Sequence, residues 1–430
     1  MILSDNQNDH FYRITSREEN IMHLTREEES IYNGEQGPTL QKMMEILVAL
    51  GDIFDAKKLI PVKSVQVAGV SYKTIGDAGL EWIRDLDGKV KVPAVLNPMG
   101  MDREAYVQMG IDSHFAKKQE EIIRAYEKLG IQPECTCTPY YLSKPGFGDH
   151  LAWSESSAVC YANSVLGART NREGGPSALA AALIGKTPYY GLHISENRYP
   201  TVTVKVKEPL RGAEYGALGY VAGAKIGDGI PIFQLKTTPT EDELKHLGAA
   251  LAASGAVALF HVLHVTPEQY VLPPDKMDRE RQELGNEDDW QVPERFFLPR
   301  ERIEVDIGQV RELARQKANP DLIALGCPHA SRDELGEILS LLHGRTVKKE
   351  VWVCTSRAIG QKYPELVQQL RSCGIKVLYD TCMVVSPAAN RFKCMMVNSG
   401  KALKYTPAMC GVDAVLGSTE DCIEVACRGD

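Results

Sequence analysis

The spacing of hydrophobic and polar residues along this chain predicts alternating helices and strands. Apolar side chains recur at helical spacing from 40 to 56 and from 104 to 129. Short apolar runs predict buried or half-buried strands at 65–70, 92–96, 201–206, 256–260, 322–325, 351–353 and 375–379. Strands that alternate with helices of this length are typical of an α/β fold, in which parallel sheets are flanked by helices.

Three segments carry the Ser/Thr-x-x-Glu pattern of a capping box, starting at Thr25, Thr240 and Ser331. In this pattern each of the two side chains accepts a hydrogen bond from the backbone of the other residue, so we expect helices to begin there. The stretch 71–77 is expected to be a polar loop. The stretch 135–176 is rich in Ser, Gly, Asn and Arg, and such a region inside a large chain is more often a site than a linker.

The length of 430 residues exceeds the size at which one hydrophobic core stops growing, so we expect two or more lobes. We divide the chain into a flexible N-terminal extension at 1–23, one or more substrate-binding lobes at 24–300 and an α/β lobe at 301–430. Residues 268–300 are charged and contain proline, and we interpret them as a connection or a surface insertion.

The charge balance narrows the choice of partners. With 49 basic and 57 acidic side chains, the net charge is −8, which opposes binding to nucleic acid or to an anionic membrane. No apolar run is long enough to span a bilayer, and the polar N-terminus lacks the apolar core of a signal peptide. We therefore expect a cytoplasmic protein that binds neither nucleic acid nor membrane.

The 11 cysteines are many for such a protein. An odd count in a long chain without an export signal argues against a disulfide framework. Three of them, Cys327, Cys354 and Cys382, come at or next to the ends of predicted parallel strands, so they are expected at one edge of one sheet. Thiolates there are typical ligands of an iron–sulfur cluster. Buried structural cysteines and a zinc site remain alternatives, although the spacing of Cys135 and Cys137 suits zinc poorly.

Polar residues that are candidates for substrate binding fall in three segments. Glu155 is surrounded by serine hydroxyls, Arg169 and Arg172 can each bind a carboxylate through two hydrogen bonds, and Lys401 can carry a proton or pair with substrate charge. A solvated loop with internal ion pairs is the alternative for the arginines, and a surface lysine for Lys401. Of the histidines, we expect 261 and 264 to be core residues, whereas 150 and 329 lie in polar loops.

These segments resemble the aconitase X family. The similar motifs, which run in the family's order, are 69–77, 97–102, 137–140, 153–158, 163–177, 326–329, 380–382 and 398–401. The resemblance implies aconitase-like large domains and dehydratase activity with an iron–sulfur cluster, either 4Fe-4S or a 3Fe-4S or 2Fe-2S form. It implies three cluster ligands, Cys137, Cys327 and Cys382, with Cys354 as the reserve.

The resemblance also implies a substrate site and a partner. The implied catalytic residues are Glu155 and Lys401, although a serine of a partner subunit fits the role of base as well. The implied substrate-binding residues are Gly69, Val70, Ser71, Asn97, Pro98, Ser154, Ser156, Ser157, Arg169 and Ser399. The swivelling domain of the family is expected to be a separate small subunit, because the chain ends soon after residue 401.

The resemblance leaves the substrate open between two small hydroxy acids. We favour cis-3-hydroxy-L-proline or a related hydroxy acid, and mevalonate 5-phosphate is the alternative. Two further alternatives belong to other classes of protein, namely a zinc-dependent enzyme and a non-catalytic binding protein.

Overall fold

A computed structural model of the chain describes residues 22–268, 299, 301–316 and 319–428. The expected extension at 1–23, apart from its last two residues, lies outside the described residues. The same holds for nearly all of the expected connection at 268–300.

The described residues form helices and strands in alternation along most of the chain. The helices are α1 Arg26–Tyr32, α2 Pro38–Ile53, α3 Tyr72–Arg84, α4 Tyr106–Met109, α5 Ser113–Lys128, α6 Ser156–Ser164, α7 Gly175–Ile184, α8 Ala213–Ile226, α9 Glu241–Ser254, α10 Ile307–Leu313, α11 Arg332–Leu342, α12 Arg357–Lys362, α13 Pro364–Ser372, α14 Gly400–Tyr405 and α15 Thr419–Arg428. The strands are β1 Leu59–Pro61, β2 Val65–Val67, β3 Ala94–Leu96, β4 Ala152–Trp153, β5 Lys186–Pro188, β6 Val202–Lys205, β7 Pro231–Gln234, β8 His261–Val262, β9 Arg302–Glu304, β10 Leu322–Leu325, β11 Glu350–Thr355, β12 Lys376–Tyr379, β13 Cys394–Val397 and β14 Asp413–Leu416.

Three parallel sheets organise the fold, as the hydrophobic pattern predicts. They have the strand orders β3-β2-β4, β8-β7-β6-β9 and β12-β11-β10-β13-β14, and β1 and β5 form a separate antiparallel pair. A core of buried aliphatic side chains packs helices onto the first sheet, and a second core joins the four-stranded sheet to one face of the five-stranded sheet. The expected α/β class with more than one lobe is confirmed.

The three predicted capping boxes are confirmed, since the hydroxyls of Thr25, Thr240 and Ser331 each accept a hydrogen bond from the glutamate backbone three residues on. Because the cap satisfies amide groups that a helix leaves unpaired at its start, this local pattern fixes where each helix begins.

Three predictions of local structure are wrong. The polar stretch 71–77 is not a loop, because α3 begins at Tyr72 and only Gly76 leaves the helical conformation. The long helix expected at 104–129 is divided in two, because Gly110 takes a left-handed conformation and Asp112 caps a new helix. The apolar run 256–260 does not form a strand, and the short strand β8 starts only after it.

The carboxyl ends of the first and the five-stranded sheets face each other. The backbone nitrogen of Met99, just beyond β3, donates to the carbonyl of Asp380, just beyond β12, over 2.8 Å. The hydroxyl of Ser71, beyond β2, donates to the carbonyl of Val385 over 3.1 Å. Since ligands of open parallel sheets bind at the carboxyl ends of the strands, the cleft between these two edges is the place to look for a site.

None of the helices in the described part of the chain combines the length and the hydrophobicity that a bilayer span requires.

Candidate active site

The facing edges of the two sheets bring together most of the side chains predicted from the sequence. The first sheet contributes the loop 69–71 after β2, Asn97 and Pro98 after β3, and the segment 154–157 after β4. The five-stranded sheet contributes the loops that follow β10, β12 and β13. Residues that are far apart in sequence therefore meet because parallel strands end at the same edge.

A buried ion pair between Glu155 and Lys401 lies at the centre of this cleft. The lysine Nζ contacts Glu155 Oε1 and donates to the Ser157 hydroxyl over 3.1 Å. The Asn97 amide donates to the other carboxylate oxygen over 2.7 Å, and the Ser156 hydroxyl donates to Oε1 over 3.2 Å. We call these five residues the Glu155–Lys401 site.

The two charges of the pair stabilise each other against burial. Burial alone would raise the pKa of Glu155, but the charge of Lys401 and the hydrogen bonds from Lys401 and Asn97 lower this pKa to about 2. Burial would lower the pKa of Lys401, and the carboxylate of Glu155 raises it instead. At neutral pH the site therefore holds a carboxylate beside an ammonium group.

Unpaired polar atoms surround this ion pair. Asn97 Oδ1 and Ser154 Oγ are buried without a hydrogen-bond partner among the described residues, and so is Asn398 Oδ1 on the opposite edge. Leaving such atoms without partners costs free energy, which native structures usually avoid. Orphaned groups beside a buried charge pair are what a substrate site presents before its ligand supplies the missing partners.

The cysteines 137, 327 and 382 also converge on this cleft. All three are buried, and the backbone nitrogen of His329, two residues after Cys327, donates to Cys137 Sγ over 3.1 Å. Cys327 and Cys382 lie close enough to affect each other's protonation, since their interaction lowers the pKa of Cys382 and raises that of Cys327. Burial raises the pKa of Cys137 to about 12 and that of Cys327 above its usual range, and the charge of Lys401 opposes the effect of burial at all three thiols.

The reserve residue Cys354 lies inside β11 rather than in a loop, where it pairs with Leu378 of β12. Its backbone oxygen accepts a hydrogen bond from Ala330 over 2.9 Å. Burial raises its pKa well above the usual range, and Cys382 and Cys137 raise it further, so Cys354 is near the other thiols. Its place in the strand distinguishes it from the three loop cysteines.

Across the described parts of the chain, no three His, Cys, Asp or Glu side chains surround a point that one metal ion would occupy. The cysteines of an iron–sulfur cluster bind different irons and therefore stand further apart.

His329 connects the loops that carry two of these cysteines. It is fully buried, its Nε2 donates to the carbonyl of Thr381 over 2.9 Å, and its Nδ1 accepts from the hydroxyl of Thr136 over 3.0 Å. Burial lowers its pKa to about 4, which keeps the ring neutral at pH 7. The sequence placed this histidine near a candidate site, but its role in joining the loops was not predicted.

The two predicted arginines lie at different ends of β4. The backbone of Arg169 forms a parallel bridge with the backbone of His150, which precedes β4. Its guanidinium donates to the His193 carbonyl and to the Ser195 hydroxyl. The backbone of Arg172 forms a parallel bridge with Trp153 at the carboxyl end of β4. Its guanidinium is exposed, and its charge contributes to lowering the pKa of Glu155. Arg169 as a substrate residue stays a prediction, since it contacts none of the other candidates.

The remaining predicted residues line the same edges. Gly69 takes a left-handed conformation with a φ of 79°, which favours glycine, and is followed by buried Val70 and Ser71. Pro98 is buried, and the hydroxyl of Ser399 accepts from the backbone of Ala402 at the start of α14. That turn places Lys401 in the cleft.

Gln66 belongs to the site although the sequence analysis did not single it out. It lies in β2 and is fully buried. Its amide donates to the carbonyl of Thr136 over 2.7 Å, and its oxygen accepts from the backbone of Glu155 over 3.2 Å. A polar side chain between the valines of a buried strand was the feature that could have revealed it.

Comparisons with known proteins agree with this geometry. Three family models match the chain: the aconitase X first domain at residues 21–196, the second domain at 200–290 and the third domain at 320–428. The large subunit of phosphomevalonate dehydratase from Methanosarcina mazei is 56% identical over 411 residues, which are 95% of this chain and 98% of that protein. The cis-3-hydroxy-L-proline dehydratase of Hypocrea jecorina is 32% identical over 429 residues, covering 94% of this chain and 69% of that protein.

A solved structure is similar throughout. The crystal structure of aconitase X from Thermococcus kodakaraensis in its holo form matches with a TM-score of 0.82 and 43% identity, covering 94% of this chain and all of that one. The fold and its similarities therefore define a dehydratase, an enzyme of the hydro-lyase class. The chain belongs to the aconitase X family.

Proposed function

We propose that this chain is the large subunit of a dehydratase that removes water from mevalonate 5-phosphate. The observation that carries the proposal is the identity of 56% with a phosphomevalonate dehydratase large subunit across nearly the full length of both chains. The hydroxyproline relative is less similar, at 32%, and this chain covers only 69% of it. The relatives thus support the alternative substrate better than the one we favoured from the sequence.

We further propose that Cys137, Cys327 and Cys382 bind an iron–sulfur cluster. The residues present fit such a group, because three buried thiols from three loops lie near one another and beside the positive charge of Lys401. A neighbouring cation favours the thiolate form, which is the form that binds iron. When bound, a cluster with three protein ligands supplies a Lewis acid at its open iron to the substrate hydroxyl.

Residues at the edges of both sheets would bind and orient the substrate. The residues near the ion pair of Glu155 and Lys401 are the loop 69–71, Asn97, Pro98, Ser154, Ser156, Ser157 and Ser399. Two of them, Asn97 and Ser154, carry the orphaned oxygens that a ligand can satisfy. Arg172 is assigned to the phosphate, because its guanidinium is exposed next to this site and makes no hydrogen bond or salt bridge to another described side chain. The assignment competes with the sequence-based choice of Arg169.

Lys401 and Glu155 divide the work of proton transfer in this proposal. Lys401 Nζ is protonated at neutral pH, because Glu155 raises its pKa, and it can pass a proton to the departing hydroxide, which is a stronger base than the lysine amine, so that water leaves. Glu155 is a poor base at neutral pH, because its pKa is held at about 2. It positions Lys401, and we assign removal of the carbon-bound proton to a residue of the small subunit.

The names of the relatives support a two-subunit enzyme, since several are called large subunits. A small subunit that covers the cleft would also exclude water from the buried ion pair and the thiols. We therefore expect the large chain alone to bind substrate without converting it.

An anaerobic assay with both substrates tests the proposal. The chain is combined with a small subunit and reconstituted with iron and sulfide, then offered mevalonate 5-phosphate or cis-3-hydroxy-L-proline, and loss of one water is followed by mass spectrometry. We expect product from the phosphate compound alone, and the Glu155→Gln variant provides the matched control. Turnover of hydroxyproline alone, or of neither compound, would contradict the proposed substrate.

A further inference from the structure

A second buried charge cluster lies behind the cysteine loops, away from the Glu155–Lys401 site. Its members are Asp242 and Lys245 of α9, Tyr141 of the loop after Cys137, and Ser331 and Glu334 at the start of α11. We call these five residues the Lys245 junction. They come from segments that match three different family domains, so the junction joins all three.

Lys245 is at the centre of this junction and is 1% exposed. Its Nζ contacts Glu334 Oε2, lies 2.9 Å from Asp242 Oδ1, and donates to the Tyr141 hydroxyl over 3.3 Å. Asp242 in turn accepts from the hydroxyls of Tyr141, over 3.2 Å, and Ser331, over 2.8 Å. One lysine and one aspartate on the same helix therefore bind both neighbouring segments.

The two segments that meet at the junction are those that carry two of the cysteines. Tyr141 lies four residues after Cys137, and Ser331 lies four residues after Cys327. The thiol of Cys137 is itself in contact with the backbone of His329, between Cys327 and Ser331. The separation of the two thiols thus depends on how these short segments are fixed behind them.

We propose that Lys245 is a positioning residue that holds the Cys137 and Cys327 loops at the separation required for cluster binding. The inference rests on the proposed role of these cysteines as ligands. Partners outside the ligand set commonly orient metal ligands, and their loss lowers metal affinity by about 10- to 100-fold. The buried lysine joins segments that lie far apart in the sequence.

Two variants separate positioning from simple stabilisation. Lys245→Met removes the ammonium group from Asp242 and Glu334, so that Glu334 keeps only His246 and the backbone of Ser331 as partners, and this loss destabilises the chain. The double variant Lys245→Met, Glu334→Gln removes a charge of each sign, and glutamine still completes the capping box of α11. We expect the double variant to regain most of the melting temperature lost by the single variant.

Cluster retention is then measured on the full chain after anaerobic reconstitution, as iron and acid-labile sulfide per chain over time and as the visible absorbance spectrum. We expect both variants to lose iron about tenfold faster than the parent chain. If the double variant recovers both the melting temperature and the cluster retention of the parent chain, the positioning role is overturned.

A readout without iron keeps this test independent of the proposed function. In the chain without cluster, alkylation of Cys137 and Cys327 by iodoacetamide is followed by peptide mass spectrometry. We expect both thiols to react about fivefold faster in the double variant, because the loops separate more often. Unchanged alkylation would overturn the inference, whereas a parent chain that binds no cluster would instead overturn the proposed ligands.

The buried ion pair between Arg198 and Glu268 provides a matched control. Arg198→Met removes a cation that is as deeply buried as Lys245 but lies in another part of the chain, outside both cysteine loops. We expect it to lower the melting temperature while retention and alkylation stay at the parent level. Equal loss of iron in this control would show that general destabilisation, rather than Lys245, governs retention.

Discussion

Two buried ion pairs in this molecule differ in how completely the asparagine bonded to each pair is satisfied. The side-chain oxygen and nitrogen of Asn163, beside Arg198, both have partners, whereas Asn97, beside Glu155, has an oxygen without one. Every nitrogen of the Arg198 guanidinium donates a hydrogen bond, to both carboxylate oxygens of Glu268 and to oxygens of Asn163, Leu192 and Ala168. The Glu155–Lys401 pair is somewhat less buried, and Asn97 Oδ1 and Ser154 Oγ beside it have no partner among the described residues.

Burial of charge alone therefore does not identify a functional site. A pair whose hydrogen bonds are all made stabilises one arrangement of the chain, and a ligand has nothing to add. A pair with unsatisfied neighbours can gain those bonds from a substrate. We therefore assign a structural role to the pair of Arg198 and Glu268, and a functional role to the pair of Glu155 and Lys401.

The largest expected effect is on turnover when Lys401 is changed. Lys401→Met removes the proposed proton donor and leaves Glu155 without its cation, so we expect turnover to fall by about a thousandfold. Steady-state assays of the two-subunit enzyme measure this, with iron content recorded in parallel. A variant that keeps its cluster and also turns over at the parent rate would contradict the functional role of the Glu155–Lys401 pair.

Arg198→Met should affect stability instead. Breaking a buried pair leaves an uncompensated carboxylate, and we expect the free energy of unfolding to fall by about 3–5 kcal/mol. Urea unfolding measures the loss, and turnover per folded molecule should stay near the parent value. If the variant does not fold, the milder Glu268→Gln replaces it. Loss of turnover without loss of stability would show that this pair is functional after all.

The surroundings of Arg198 should also make the chain sensitive to acid. Burial, with the charges of His150 and the arginines, lowers the pKa of His193 to about 3. Because the folded pKa lies below the unfolded value, the stability that neutral His193 contributes is complete above about pH 6.5 and is lost as the pH falls. We expect a loss of about 3 kcal/mol by pH 4 from this group.

Urea unfolding at pH 6.5 and pH 4 checks this expectation. His193→Gln should reduce the loss between the two pH values, while a change at exposed His23 should leave it as in the parent. If the His193→Gln variant and the parent chain lose the same free energy of unfolding between the two pH values, another group dominates the response to acid.

The smallest expected effect distinguishes the two arginines at the ends of β4. Arg172→Gln should raise the KM for mevalonate 5-phosphate about tenfold, because one charged hydrogen bond to the phosphate is lost. Arg169→Gln should leave the KM unchanged, since that guanidinium is already bound to His193 and Ser195. The reverse result would restore Arg169 as the substrate residue.

Local patterns predicted much of the fold. Capping boxes and short apolar runs give the helices that begin after Thr25, Thr240 and Ser331 and the strands β10 to β12, because these signals act within a few residues. Helices α6 and α7 were missed. They are buried on nearly all sides, so they have no polar face and their sequences lack the helical alternation of polar and apolar residues.

The candidate site was predicted residue by residue but not as an arrangement. Glu155, Lys401 and the cysteines were proposed from composition and resemblance, whereas their contacts depend on two sheet edges whose residues are 192 to 246 positions apart in the sequence. The same limit applies to Gln66, Lys245 and the difference between Arg169 and Arg172, since tertiary packing alone decides them.

Replacement of the three loop cysteines tests most directly whether they bind an iron–sulfur cluster. Single serine variants at 137, 327 and 382 are compared with Cys354→Ser, after anaerobic reconstitution, by iron and sulfide content and visible absorbance. We expect each loop variant to lose the cluster, because three thiolates are needed, and Cys354→Ser to retain it as the parent does. Full retention in any loop variant, or loss in Cys354→Ser alone, would contradict the proposed ligand set.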